Sequence, residues 1–174
     1  LLMEAVIFEN NVNLTYDITP DLFVNGSTEQ LKQLVMILLD NAVKYTPKSG
    51  DINITLTHES ADAVLTVRNT GVGISEDAQK QIFERFYRED KSRARESGGY
   101  GLGLAIAKAI TTACKGSIKV YSKKNEYTEF TVKIPVAKSP PSLVPRDTSP
   151  QGEATKKTTS QSSFFVTQRL TYLY

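Results

Sequence analysis

Cysteine is nearly absent: Cys114 is the only one in 174 residues. That excludes an internal disulfide and a cysteine-based metal cluster, and it suits a reducing, cytoplasmic setting. Charge of one sign is also lacking. Lysine and arginine total 21 against 19 acidic residues, a formal net charge of +2, too little to suggest nucleic-acid binding through charge alone. No apolar run approaches the roughly 18 residues that cross a bilayer, so direct membrane contact is not expected. The first residues, Leu1, Leu2, Met3 and Glu4, lack the basic start and long apolar stretch of a signal peptide. With no methionine at position 1, the chain reads as a piece of a longer parent, truncated at its N-terminus. Histidine is scarce too: His58 stands alone, in a predicted strand or hairpin turn, and reads as an ordinary surface residue.

What is present is an ordinary globular composition, 40% hydrophobic and 23% charged, with room for one domain and a tail. The pattern divides near Pro135. Residues 1–137 alternate between strand and helix periods. Residues 138–174 are rich in Ser, Thr and Pro, a composition that buries too little apolar surface to offset the entropy of ordering, and a disordered tail is expected there.

Within the domain, residues 12–18 alternate and predict a strand. Ser27 followed by Gln30 has the spacing of a capping box. Leu31, Leu34, Val35, Leu38 and Ala42 then recur at helical spacing to about Tyr45, before Pro47 and Gly50 stop the helix. Ile52, Ile54 and Leu56, then Leu65 and Val67, predict two strands of a hairpin. Ser75 caps a short helix that ends near Phe86. A glycine-punctuated helix is expected from about Gly101 to Lys115, and strands over residues 117–122 and 127–134. These elements predict an α/β two-layer sandwich, with helices on one face of a mixed, mainly antiparallel sheet.

Three stretches carry chemistry. Asn41, Lys44 and Tyr45 lie at i, i+3 and i+4 and share a helix face. An amide, a cation and a ring there suit a metal, a phosphate and a flat base, although a plain polar helix end has the same look. Asn69, Gly71, Gly73 and Ile74 join a strand to a helix; the glycines let backbone approach a ligand, as they also would in a simple connector. Gly98, Gly99, Gly101 and Gly103 place four glycines within six residues at the start of a helix. Each costs about 1 kcal/mol against alanine in a helix interior, whereas N–H groups at a helix start suit phosphate. A structural loop has no need of so many. Between the last two stretches, Phe83 and Phe86 read as an anchor into the core. Arg88, Lys91, Arg93 and Arg95 read as a basic lid over a triphosphate or as a solvated loop.

In order, Asn-Ala-x-Lys-Tyr, Asn-Thr-Gly-x-Gly-Ile, Phe-x-Arg-Phe-Tyr-Arg and Gly-Gly-x-Gly-Leu-Gly-Leu resemble the nucleotide-binding boxes of sensor histidine kinases. The resemblance covers nearly all of residues 5–135. Each box alone is weak, and four in order are specific. The resemblance implies the Bergerat-type ATP-binding fold of the wider superfamily that includes DNA gyrase B, with ATP under a mobile lid. It implies Mg²⁺ on the Asn41 amide oxygen, phosphate on Lys44, and adenine near Tyr45 and Asn69 in a pocket shaped by Gly71, Gly73 and Ile74. Gly99, Tyr100, Gly101, Leu102, Gly103 and Leu104 would form the phosphate-side box, with Arg88 and Arg95 neutralising charge during transfer.

The implied activity is transfer of the ATP γ-phosphoryl group to a histidine on a dimerisation domain of the parent, and onward to a response regulator. The parent would be anchored in the bacterial membrane. Two departures bear on this. The family usually has aspartate where Asn69 stands, so ATP binding is expected to be weaker than with aspartate, by about 1 kcal/mol. One turn before Asn41 the family often has a second polar residue, and here it is Ile37. These departures motivate the alternative of a degenerate, non-catalytic module that only contacts partners.

Overall fold

The computed structural model describes residues 7–88, 100–137 and 163–165. In chain order they form β1 (Asn13–Ile18), β2 (Phe23–Asn25), α1 (Thr28–Tyr45), β3 (Asp51–Glu59), β4 (Asp62–Thr70), α2 (Glu76–Gln81), α3 (Gly103–Ala113), β5 (Ser117–Lys123), β6 (Tyr127–Pro135) and β7 (Ser163–Phe165). Five strands make one sheet in the order β1-β3-β4-β6-β5. β1 lies parallel to β3, which requires a crossover, and α1 supplies it. The other pairs are antiparallel, so the expected mixed, mainly antiparallel sheet is what forms.

The two periods in the sequence meet at one core. α1 buries Leu31, Leu34, Leu38 and Ala42, residues at helical spacing that share one stripe. α3 adds Ala107 and Ile110. They cover the sheet face built from Ile52, Ile54 and Leu56 on β3, Leu65 and Val67 on β4, and Phe130 and Val132 on β6. Leu38 is fully buried and Val67 equally so. Cys114 is buried in the same cluster, where burial pushes its thiol above the ordinary range. It packs as a small apolar group rather than as a reactive one.

Helix ends differ in part from expectation. Ser75 caps α2 as predicted, its hydroxyl accepting from the Ala78 N–H at 3.3 Å. The capping box at Ser27 does not form: the residue has extended backbone, but its side chain makes no cap bond. α1 ends where Thr46 Oγ1 donates back to the Ala42 carbonyl at 2.6 Å and Pro47 follows. α2 stops at Gln81, short of the expected Phe86, and α3 runs from Gly103 to Ala113, two residues inside the expected bounds at each end. His58 lies exposed on β3.

Two features lay outside the sequence expectation. β2 is a short strand with no alternation long enough to read. β7 pairs antiparallel with it, Phe23 opposite Phe165 and Asn25 opposite Ser163, within the segment whose composition predicted disorder. Among the described residues no helix is long and apolar enough to cross a membrane.

Candidate functional site

A cleft of about 650 Å³ opens between the C-terminal turn of α1, the end of β4 and the start of α3. It gathers the predicted residues from separate parts of the chain. From α1 come Asn41, Lys44 and Tyr45, with Asp40 beside them. From the end of β4 and the following turn come Asn69, Gly73 and Ile74. Tyr100, Gly101, Leu102, Gly103 and Leu104 line it at the start of α3, and Arg88 enters from the segment after α2. Arg95 and Gly99 lie outside the described residues. Gly71 lines a neighbouring cleft of about 570 Å³, shared with Lys44 and Tyr45.

Local bonding orients the polar groups. Asn41 Nδ2 donates to the Ile37 carbonyl, one turn back, at 2.7 Å. That bond fixes the amide plane, and Asn41 Oδ1 is the acceptor left for a cation. Asn69 is buried, and its Nδ2 donates to the Thr70 carbonyl at 2.9 Å, again leaving an oxygen as the acceptor. The Lys44 ammonium sits 5.4 Å from the centre of the Tyr45 ring, a contact that holds the cation and the ring together on one face.

The start of α3 borders the cleft. Leu102 stands at its N-cap and makes no side-chain cap bond, and Gly103 and Leu104 of the first turn line the cleft. First-turn N–H groups and the helix dipole favour negative charge. A Cβ on Gly103 would lie 3.4 Å from Ile37 Cγ2. The apolar residue at position 37 therefore packs beneath the glycine helix, on the same turn whose carbonyl orients Asn41.

The glycines of the strand–helix turn are explained by neighbours rather than by a ligand alone. A Cβ on Gly71 would stand 2.4 Å from the Tyr45 carbonyl oxygen. Gly73 has φ +68 and a Cβ there would meet the Lys123 carbonyl at 2.5 Å. Backbone thus approaches backbone at both points. Gly71 brings β4 against the end of α1, and Gly73 seats the turn on the tip of the β5–β6 hairpin. The expected anchor is half correct. Phe83 packs against the core and meets Phe130 edge-on, ring centres 6.3 Å apart. Phe86 does not: it is 72% exposed, with φ +65, because the helix has ended at Gln81 and the helical i+3 geometry no longer holds.

Sequence reasoning missed Thr128, Phe130, Lys124 and Asn125, all of which line the cleft. The two-residue alternation of β6 is a signal that could have put Thr128 and Phe130 on the core face, but only strand register puts Thr128 opposite Asn69. Among the described residues no group of three or more His, Cys, Asp or Glu could hold a metal.

Residues 26–138 match the family described as histidine kinase-, DNA gyrase B-, and HSP90-like ATPase. The chain belongs to this ATPase family. Within it, the chain is similar to sensor histidine kinases. It is 41% identical over 131 residues to the sensor histidine kinase RppB of Synechocystis, covering 75% of this chain and 29% of that protein. It is 44% identical over 129 residues to the sensor protein CiaH of Streptococcus pneumoniae, covering 74% and 27%. The chain thus spans under a third of the length of either relative. Among solved structures, the catalytic domain of the histidine kinase ThkA superposes with a TM-score of 0.66 at 28% identity, over 77% of this chain and 85% of that one. Full-length ShkA in complex with AMPPNP superposes with a TM-score of 0.66 at 26% identity, over 78% and 28%. The histidine kinase-like ATPase domain accordingly has the ATP-binding fold that the four boxes implied.

Proposed function

We propose that the domain binds MgATP in the 650 Å³ cleft and transfers the γ-phosphoryl group to a histidine outside these residues, on a dimerisation domain of a two-component sensor kinase. A response regulator would receive the group in turn. The observation that carries this reading is the uncapped start of α3 opening onto the same cleft as the Asn41 and Asn69 amides. The only histidine in the chain is exposed on β3, which supports an acceptor elsewhere. Such a domain works where ATP is plentiful, in the cytoplasm.

The parts divide the work by chemistry. Asn69 Oδ1 accepts from the adenine amino group, and Tyr45 and Ile74 pack around the base. The N–H groups at Gly103 and Leu104 hold phosphate oxygens, and Lys44 and Arg88 balance their charge. Asn41 Oδ1 is a hard oxygen that suits Mg²⁺. With no carboxylate cage among the described residues, this one ligand fits an ion that keeps waters and shares the substrate's phosphates. Bound there, Mg²⁺ would neutralise charge between the phosphate oxygens. Phosphoryl transfer asks for positioning and charge stabilisation more than for covalent chemistry, and this set supplies both. Calorimetric titration with a non-hydrolysable ATP analogue tests the reading. A folded chain that binds none would instead be a partner-binding module of the same fold.

Asn69→Asp separates two effects. The carboxylate gains a charge-assisted bond to the amino group, which should tighten ATP by about 1 kcal/mol. It also loses the donor that bonds the Thr70 carbonyl. That loss is present with and without ATP, so it cancels from affinity and appears as about 1–3 kcal/mol of lost stability in the free chain. Titration should show tighter binding while a denaturant melt shows a less stable chain. An unchanged affinity would remove Asn69 from the base contact.

A further inference from the structure

The core face of the sheet carries a row of three polar side chains at the cleft. Asn69 on β4 is opposite Thr128 on β6, and Thr128 is opposite Ser122 on β5. Asn69 and Thr128 line the cleft and are buried. Ser122 does not line it, yet its hydroxyl makes three hydrogen bonds. A serine hydroxyl has one proton and two lone pairs, and the geometry assigns all three. The Tyr127 carbonyl, 2.7 Å from Ser122 Oγ, can only accept, so it takes the proton. The Ile74 N–H, at 2.8 Å, can only donate, so it takes one lone pair. Thr128 Oγ1, at 3.1 Å, must then donate to the other.

The Thr128 proton is thereby turned toward Ser122, and its lone pairs are what it offers the cleft. Asn69 is oriented in a related way: one N–H of its Nδ2 is held by the Thr70 carbonyl, which fixes the amide plane and leaves Oδ1 as its acceptor. The Thr128 hydroxyl and Asn69 Oδ1 are thus two neighbouring acceptors, without a charge on either. We propose that Ser122 is a positioning residue for base selection. By holding the Thr128 proton away from the cleft, it sets Thr128 as a second acceptor beside Asn69 Oδ1, so that the wall takes a 6-amino purine and disfavours a 6-oxo purine. The proposal rests on the reading that the cleft holds a purine nucleoside triphosphate with its base against Asn69. A 6-oxo group in the same pose would set oxygen against oxygen and leave acceptors unpaired, worth about tenfold in affinity.

The experiment is equilibrium titration of the full chain with ATP and with inosine triphosphate, read as the ratio of the two Kd values. The unaltered chain should prefer ATP about tenfold. Ser122→Ala frees the Thr128 hydroxyl to rotate and donate to the 6-oxo group, and the ratio should fall to about threefold or less. Ser122→Thr keeps the hydroxyl and should restore the ratio. A purely structural role for Ser122 would weaken both nucleotides together and leave the ratio unchanged, which would overturn the proposal. Thr128→Val leaves the Ser122 bonds to Ile74 and Tyr127 in place and should also lower the ratio. Should Ser122→Ala fail to fold, an unchanged ratio in Thr128→Val overturns the proposal by itself. An unaltered chain that binds neither nucleotide would overturn the purine-site reading, and the proposal with it. One that prefers ATP, with a ratio that neither variant moves, would overturn the proposal alone.

Discussion

Asn41→Ala is expected to remove the magnesium dependence of ATP binding, with affinity in Mg²⁺ falling about tenfold or more and affinity in chelator nearly unchanged. The asymmetry follows from how the amide is held. One N–H of its nitrogen is held by the Ile37 carbonyl at 2.7 Å, so the oxygen is directed by a bond internal to the helix and needs no ligand to orient it. Alanine deletes that oxygen and keeps the helix, since alanine is the best helix former and the lost bond is local. Calorimetry of the chain and the variant, each with and without Mg²⁺, reads the effect directly. An equal loss in both conditions would mean that Asn41 acts by packing rather than by holding the metal. Asn41→Asp is the useful companion. It keeps an oxygen for the metal but sets a carboxylate against the Ile37 carbonyl, so its magnesium dependence should persist in a less stable chain.

Gly71→Ala should cost about 3 kcal/mol of stability and most of the ATP affinity together. The new Cβ would lie 2.4 Å from the carbonyl oxygen of Tyr45. That atom belongs to backbone, so no rotamer change relieves the overlap, and either the end of β4 or the last turn of α1 must shift. Both carry the site: Asn69 lies two residues before Gly71, and Lys44 and Tyr45 lie on the turn that would be displaced. Gly103→Ala is the contrast. Its Cβ would make an ordinary 3.4 Å contact with Ile37, within a helix, so the fold should tolerate it. Denaturant melts and ATP titrations on both variants separate the two glycines. A Gly71→Ala chain as stable as the parent would show that the close approach to Tyr45 is not needed.

The two glycines look alike in sequence, each in a glycine-rich stretch next to a helix, and their different reasons show where sequence reading stops. A glycine signals that something comes close, not what. At Gly71 the neighbour is the end of a helix 26 positions earlier, as the numbering of Tyr45 and Gly71 shows. Phe86 carries the same lesson. Its i+3 spacing from Phe83 reads as a shared apolar face, but that inference needs the helix to continue, and α2 ends at Gln81. Ser27 and Gln30 have the spacing of a capping box without the side-chain cap bond: the spacing permits the bond and does not require it. Ile37 looked like a loss of polar support beside Asn41. In the fold it packs against the glycine-helix start, and its backbone supplies the carbonyl that orients the Asn41 amide.

What the sequence by itself determined is whatever depends on short-range period and local chemistry. The 3.6-residue recurrence of Leu31, Leu34, Leu38 and Ala42 set α1 and its buried stripe. The two-residue alternation of β3, β4 and β6 set which side chains face the core, and Ser75 with its acidic followers set the start of α2. The order of the four boxes was legible for the same reason: each is a short contiguous run of sequence. The tertiary structure alone decided which elements stand side by side. Register placed Thr128 opposite Asn69, 59 positions apart in numbering, and Ser122 opposite Thr128 across a tight hairpin. The Ser122 bonds that turn the Thr128 proton away from the cleft depend on that placement. Periodicity reports which face a residue lies on, whereas its neighbour on that face is chosen by strand pairing, which depends on the whole chain.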